Sequence, residues 1–213
     1  MAVIVLLSLP LGWLGAVLER TRQQKKILER FEKNGPAVAW RSGYVVRLDV
    51  EPFSAEVLSV EDLRHVKELT GLEHLNLWYT CVTDDVLRDI GELEGLNSLH
   101  IAHTEITDAR LLHLKGMTKL EELCLSGTQI TDVGVSHLKG LTNLTRLYLA
   151  DTQITDDGLS HLSGLADLEY LVLTGTHVTE EGIEELEKAL PNCEIKHTIW
   201  IVDPTLDNPQ DQP

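Results

Sequence analysis

A 24-residue period governs this chain. Leu72, Leu96, Leu120, Leu144 and Leu168 each open a segment of LxxLxL type: LEHLNL, LNSLHI, LEELCL, LTRLYL and LEYLVL. Each segment runs on to a threonine and then to an aliphatic-Thr-acid triplet: TCVTD, TEITD, TQITD, TQITD and THVTE. A helical pattern follows, as in DVGVSHLKGL and DDGLSHLSGL. Self-similarity at one fixed period means that every unit folds alike and buries its apolar side against its neighbours.

The last two apolar residues of LxxLxL are two apart, so both point to one face of a short strand. Stacking the strands in parallel predicts buried ladders of Leu75/Leu77, Leu99/Ile101, Leu123/Leu125, Leu147/Leu149 and Leu171/Leu173. Thr80, Thr104, Thr128, Thr152 and Thr176 recur at the turn out of the strand, where a hydroxyl bonds nearby backbone. Thr83, Thr107, Thr131, Thr155 and Thr179 stand before an acid and a helix, the N-cap position. Asp84, Asp108, Asp132, Asp156 and Glu180 then favour the positive helix end. Gly116, Gly140 and Gly164 are the expected helix stops.

These units resemble the leucine-rich repeat superfamily. The form GLTNLxxLxLxxTQITDxGLxxL is similar to 24-residue bacterial repeats, notably planctomycete proteins that begin with a short membrane segment, a basic helix and a stretch like GPAVAW. The helix-bearing unit is also similar to repeats of ribonuclease inhibitor and of F-box substrate receptors, although no F-box-like segment is present. The resemblance covers about residues 37–197. It implies an α/β solenoid with parallel strands on a concave face, helices on a convex face and a hydrophobic helix at the N-terminus. For function it implies protein binding.

The flanks fit a capped array. Residues 37–71 hold the N-terminal cap and an irregular repeat, with strands Ala37–Trp40 and Tyr44–Val50 around Arg41-Ser42-Gly43. VVRLDV lies 27 residues before the next repeat, three more than the rule. The five full repeats occupy 72–191, PNCEIKH supplies a cap strand within 192–202, and a disordered tail is expected over 203–213.

Ala2–Leu18 holds no charged residue in seventeen positions. As a helix it reaches roughly 26 Å, close to the ~30 Å hydrocarbon core of a bilayer. A cleaved signal peptide is the competing reading and a buried helix of the fold the least favoured; the missing basic start and clean cleavage site favour residues 1–18 as a retained transmembrane anchor. Residues 19–36 then read as a basic juxtamembrane helix, with Ile27, Leu28 and Phe31 on one side and a stop at Gly35-Pro36. Six Lys/Arg follow the span, so the positive-inside rule favours a single-pass protein with its repeats in the cytoplasm, while the same basic run also suits contact with anionic headgroups. Three cysteines at spacings of 43 and 69 match no disulfide or metal framework and suit a reducing compartment.

The net charge is −16, and residues 19–34 contribute +3. The acidic remainder repels phosphates, which excludes a nucleic-acid partner. GxSxG, Walker, GxGxxG and HExxH motifs are all absent, so neither an enzyme nor a cofactor is expected. His113, His137 and His161 recur once per repeat as helix-surface consensus rather than as a metal cluster. Asn143-Leu144-Thr145 satisfies a glycosylation sequon but is also repeat consensus.

The residues alternating with the buried leucines must line the concave face. One column runs Asn76, His100, Cys124, Tyr148, Val172, Lys196. Its flanks are His74, Ser98, Glu122, Arg146, Tyr170, Glu194 and Trp78, Ala102, Ser126, Ala150, Thr174, Thr198. Surface Trp, Tyr and Arg are typical interface anchors. The candidate partner-binding residues are therefore His74, Asn76, Trp78, Tyr79, His100, Arg146, Tyr148 and Tyr170, sharpest at Trp78. A structural spacer in the cell envelope is the competing reading, and a Cys124/His100 nucleophile pair is the remote enzymatic one.

Overall fold

The computed structural model describes residues 11–29, 31, 37–50 and 60–198. The expected disordered tail and most of Ala2–Leu18 lie outside these residues. Among the described residues eight strands form one sheet in chain order. They are β1 (Ala37–Arg41), β2 (Tyr44–Asp49), β3 (His74–Asn76), β4 (Ser98–His100), β5 (Glu122–Cys124), β6 (Arg146–Tyr148), β7 (Tyr170–Val172) and β8 (Glu194–Lys196). β1 and β2 are an antiparallel hairpin, with positive φ at Ser42 and Gly43 as a two-residue turn requires. Every later pair is parallel, offset by 27 residues at β2/β3 and by 24 thereafter.

The predicted ladders are the core. Leu75, Leu77, Leu99, Ile101, Leu123, Leu125, Leu147, Leu149, Leu171 and Leu173 are all fully buried. The five turn threonines are buried too, and each hydroxyl donates to the carbonyl three residues back at 2.6–2.7 Å. That bond satisfies a hydroxyl and a carbonyl that the core would otherwise leave unpaired.

A left-handed residue follows each of the strands β3 to β7, a feature the repeat pattern did not suggest. Tyr79, His103, Gly127, Asp151 and Gly175 all have φ between 53° and 72°. This bend turns the chain toward the helical side. The N–H of each of the first four bonds a carbonyl of the next repeat at 2.8–3.2 Å.

The helices are shorter than the sequence pattern suggests. They are α2 (Val60–Leu63), α3 (Asp84–Gly91), α4 (Asp108–Leu111), α5 (Asp132–Ser136), α6 (Asp156–Ser160) and α7 (Glu180–Ala189). After α4 and α5 the chain tightens into 3-10 turns at Leu112–Leu114 and Leu138–Gly140. The tighter turns bring Leu114 and Leu138 into the core. Gly116 and Gly164 thus lie beyond the helix ends, and Gly140 closes a 3-10 turn.

The N-cap expectation needs correction at two repeats. Thr131, Thr155 and Thr179 accept from backbone N–H groups of their own helices. Thr83 and Thr107 occupy the cap position without that bond. The acids also do more than face a helix dipole. Asp108 accepts the Thr131 N–H at 2.8 Å and the Thr131 hydroxyl at 2.7 Å. Asp132 holds Thr155, and Asp156 holds Thr179, in the same way. Each carboxylate thereby bonds one repeat to the next.

At the N-terminal end, α1 (Leu11–Leu28) crosses the expected boundary at Glu19 without a break. It ends at Leu28, before the expected stop at Gly35-Pro36, and Phe31 beyond it is fully buried. Buried Gln24 donates to the Glu68 carbonyl at 3.2 Å and accepts from the Val45 N–H at 3.3 Å. The helix therefore packs on β2 and the turn before β3, covering the first strands. No described helix is long and apolar enough to cross a membrane.

Candidate functional site on the open face of the sheet

The strand register carries the two predicted columns. Asn76, His100, Cys124, Tyr148, Val172 and Lys196 are successive partners, as are His74, Ser98, Glu122, Arg146, Tyr170 and Glu194. One face of each strand is buried by the leucines, so these alternate residues occupy the open face. Strands three residues long present two of them each, and the flank that begins at Trp78 lies two residues past the last residue of each strand.

The aromatic members form a continuous band. The Trp78 ring stacks near His100 at 6.3 Å between centroids, and His100 lies 6.5 Å from Tyr148. Tyr148 in turn lies 5.8 Å from Tyr170. His74 meets His100 edge-on at 5.3 Å. Trp78 is 38% exposed, a large apolar surface beside the nearly buried Ala102.

A charged row runs beside this band. Arg47 Nε lies 2.6 Å from Asp49 Oδ2, and Asp49 Oδ1 lies 3.0 Å from His74 Nε2. Glu122 Oε1 sits 3.4 Å from His100 Nε2, while its Oε2 accepts from Arg146 at 3.4 Å and from Ser98 at 3.2 Å. The His100 contact lies within ion-pair range but lacks hydrogen-bond geometry. Buried Nε2 therefore has no hydrogen-bond partner among the described residues.

The environment sets the charge states. Burial holds both His74 and His100 below the usual imidazole range, and for His74 the charge of Arg47 adds to it. For each, the adjacent carboxylate opposes the shift without reversing it. Burial works against ionisation of Glu122, but the Arg146 hydrogen bond and nearby positive charge outweigh it and lower its pKa. Near neutral pH the row is thus two arginine–carboxylate pairs around two largely neutral imidazoles.

Of the predicted residues, His74, Asn76, Trp78, His100, Arg146, Tyr148 and Tyr170 come together here. Tyr79 does not join them. It sits at the left-handed bend, 52% exposed, with its ring parallel to His103 at 4.5 Å. Asn76 serves the backbone, accepting the Trp78 N–H at 3.1 Å. Arg47 and Asp49 belong to the row but were missing from the sequence-based set. The alternation within VVRLDV places both on the same face as His74 and was signal enough.

Among the described residues no hydrogen bond joins Cys124 to His100. Burial pushes the Cys124 thiol up, away from the thiolate form that reacts. Its sulfur contacts Ser126 Oγ at 3.8 Å.

Comparisons with known proteins agree with this architecture. No curated protein matches the sequence. An internalin of Listeria monocytogenes (inlF) is similar in structure, with a TM-score of 0.55 and 26% identity over 64% of this chain. The chain spans 37% of that internalin's length. Internalin C2 of the same organism aligns over 82% of this chain and 92% of its own, at 16% identity and TM-score 0.50, a likeness of fold alone. A leucine-rich repeat protein of Leptospira interrogans aligns at TM-score 0.45 and 25% identity, over 62% of this chain and 38% of its own. Residues 118–178, from the lead-in of β5 to the far side of β7, match the family described as Leucine rich repeat.

Proposed function

We propose that this protein is a membrane-tethered scaffold that binds another protein through the open face of its sheet. The observation that carries the reading is the exposed Trp78 at one end of a continuous Trp78–His100–Tyr148–Tyr170 band. Rigid aromatic side chains on a fixed lattice lose little entropy on binding, which makes them effective anchors. The paired charges of Arg47, Asp49, Glu122 and Arg146 give the face polar specificity without a large net charge.

The tether in this reading is Ala2–Leu18, supported by the length and apolarity of that segment, and the basic residues after it support a cytoplasmic array by the positive-inside rule. Protease added to spheroplasts tests the topology: the array survives if cytoplasmic and is digested if exported. Crosslinking in cells followed by affinity recovery tests the binding face. Trp78→Ala and Tyr148→Ala should each remove the recovered partner while circular dichroism stays unchanged. Equal recovery by both folded variants would refute the open-face reading and leave a spacer role.

A further inference from the structure

The repeats are acidic, but a recess at the N-terminal end of the described residues is lined by cations. Between α1 and the elements it covers lies a cleft of about 560 Å³, lined among others by Arg20, Gln23, Lys26, Tyr44, Glu68 and Thr70. Arg20, Gln23 and Lys26 recur every three residues, so they form one edge of the helix facing the cleft. The Arg20 guanidinium lies 4.1 Å over the Tyr44 ring, with Nη1 3.5 Å from the Ser42 carbonyl. It is therefore held in place before any ligand arrives. Lys26 is exposed and free to turn inward. The lining thus offers two cations, an amide and a hydroxyl, a donor set suited to phosphate oxygens. Glu68 is the anion in the lining, and its carboxylate is engaged by His65 Nδ1.

Position adds a second argument, which rests on the tether proposed above. Arg20 and Lys26 follow Leu18 by two and eight residues along an unbroken helix. At ~1.5 Å per residue they lie roughly 3–12 Å beyond the last uncharged position, overlapping the headgroup layer of about 5–8 Å outside the hydrocarbon core. The surrounding segment 19–34 carries +3 in a chain of −16, so an anion is drawn to this end and repelled elsewhere.

We infer that the cleft between α1 and the Tyr44–Thr70 surface binds the phosphate of an anionic membrane lipid, whose headgroup holds the array at a fixed angle to the bilayer. The cleft differs from a diffuse basic surface in one respect. Lys26 lines it and its neighbour Lys25 does not, although both are exposed.

The test is calorimetric titration of the full chain in a non-ionic detergent. The probes are dihexanoyl phosphatidylglycerol, dihexanoyl phosphatidylcholine and inorganic phosphate. Phosphatidylglycerol should bind more tightly than the other two. Lys26→Gln should weaken it roughly tenfold, the loss of one charge-assisted hydrogen bond. Lys25→Gln should leave it within about twofold, as expected for a distant, screened surface charge, and Glu68→Gln should strengthen it. Equal weakening by both lysine variants would show diffuse attraction and overturn the site. Phosphate binding as tight as the lipid, or no preference over phosphatidylcholine, would overturn the lipid assignment. These titrations need no bilayer, so failure of the tether in membrane fractionation is read separately from failure of the cleft.

Discussion

Replacing Gly134 with alanine ought to help α5, because alanine is about 1 kcal/mol better than glycine inside a helix. The structure predicts the reverse. A Cβ at Gly134 would fall inside van der Waals contact with Asp108 Oδ1, the oxygen that accepts the Thr131 N–H at 2.8 Å. Its next neighbour, Leu111 Cδ1 at 3.2 Å, is the end of a flexible side chain and can yield. The methyl group therefore displaces the carboxylate from two bonds, each about 1.5–3 kcal/mol when fully buried. The groups are partly exposed, so a combined loss of about 2–3 kcal/mol is reasonable. After the helix gain, Gly134→Ala should destabilise the array by roughly 1–2 kcal/mol. Asp108→Ala alone should cost about 2–3 kcal/mol. In the Asp108→Ala background the obstruction is gone, and Gly134→Ala should become stabilising by up to about 1 kcal/mol. Urea unfolding followed by circular dichroism on the four proteins measures this cycle. If Gly134→Ala has the same sign and size in both backgrounds, the carboxylate does not explain the glycine.

Leu147→Ala removes a fully buried ladder residue flanked on both sides by leucine partners, and should cost about 2–5 kcal/mol in urea unfolding. Thr128→Val preserves shape but strands the Leu125 carbonyl, so a loss of about 1 kcal/mol is expected in the same assay. The depressed His74 and His100 mean that the unfolded chain binds more protons below the ordinary imidazole value of 6.5. Stability should therefore fall as pH drops below about 6.5 and level off only below the folded-state values; unfolding of the wild type and a His74→Gln/His100→Gln variant from pH 7.5 to 5 checks that the slope flattens in the variant.

The two levels of information divide cleanly along physical lines. The 24-residue spacing and the i, i+2 alternation determine fold, strand register and core, because one buried face of a stacked strand leaves no other register that hides every leucine. The same alternation assigns His74, His100, Arg146, Tyr148 and Tyr170 to one surface from the sequence alone. Three features were not legible. Asp108, Asp132 and Asp156 read locally as helix-start acids, and only the stacking of neighbouring repeats brings the next threonine within reach. Tyr79 follows Trp78 in sequence, yet a left-handed bend turns it from the sheet onto His103. The helix over Leu11–Leu28 looked like two pieces divided by polarity at Glu19, whereas packing of Gln24 and Ile27 against the first strands makes it the cover of an otherwise open core end. Periodic burial is a short-range property that a sequence carries in its spacing; bonds between units and the turns that aim side chains depend on distances that exist only once the units are stacked.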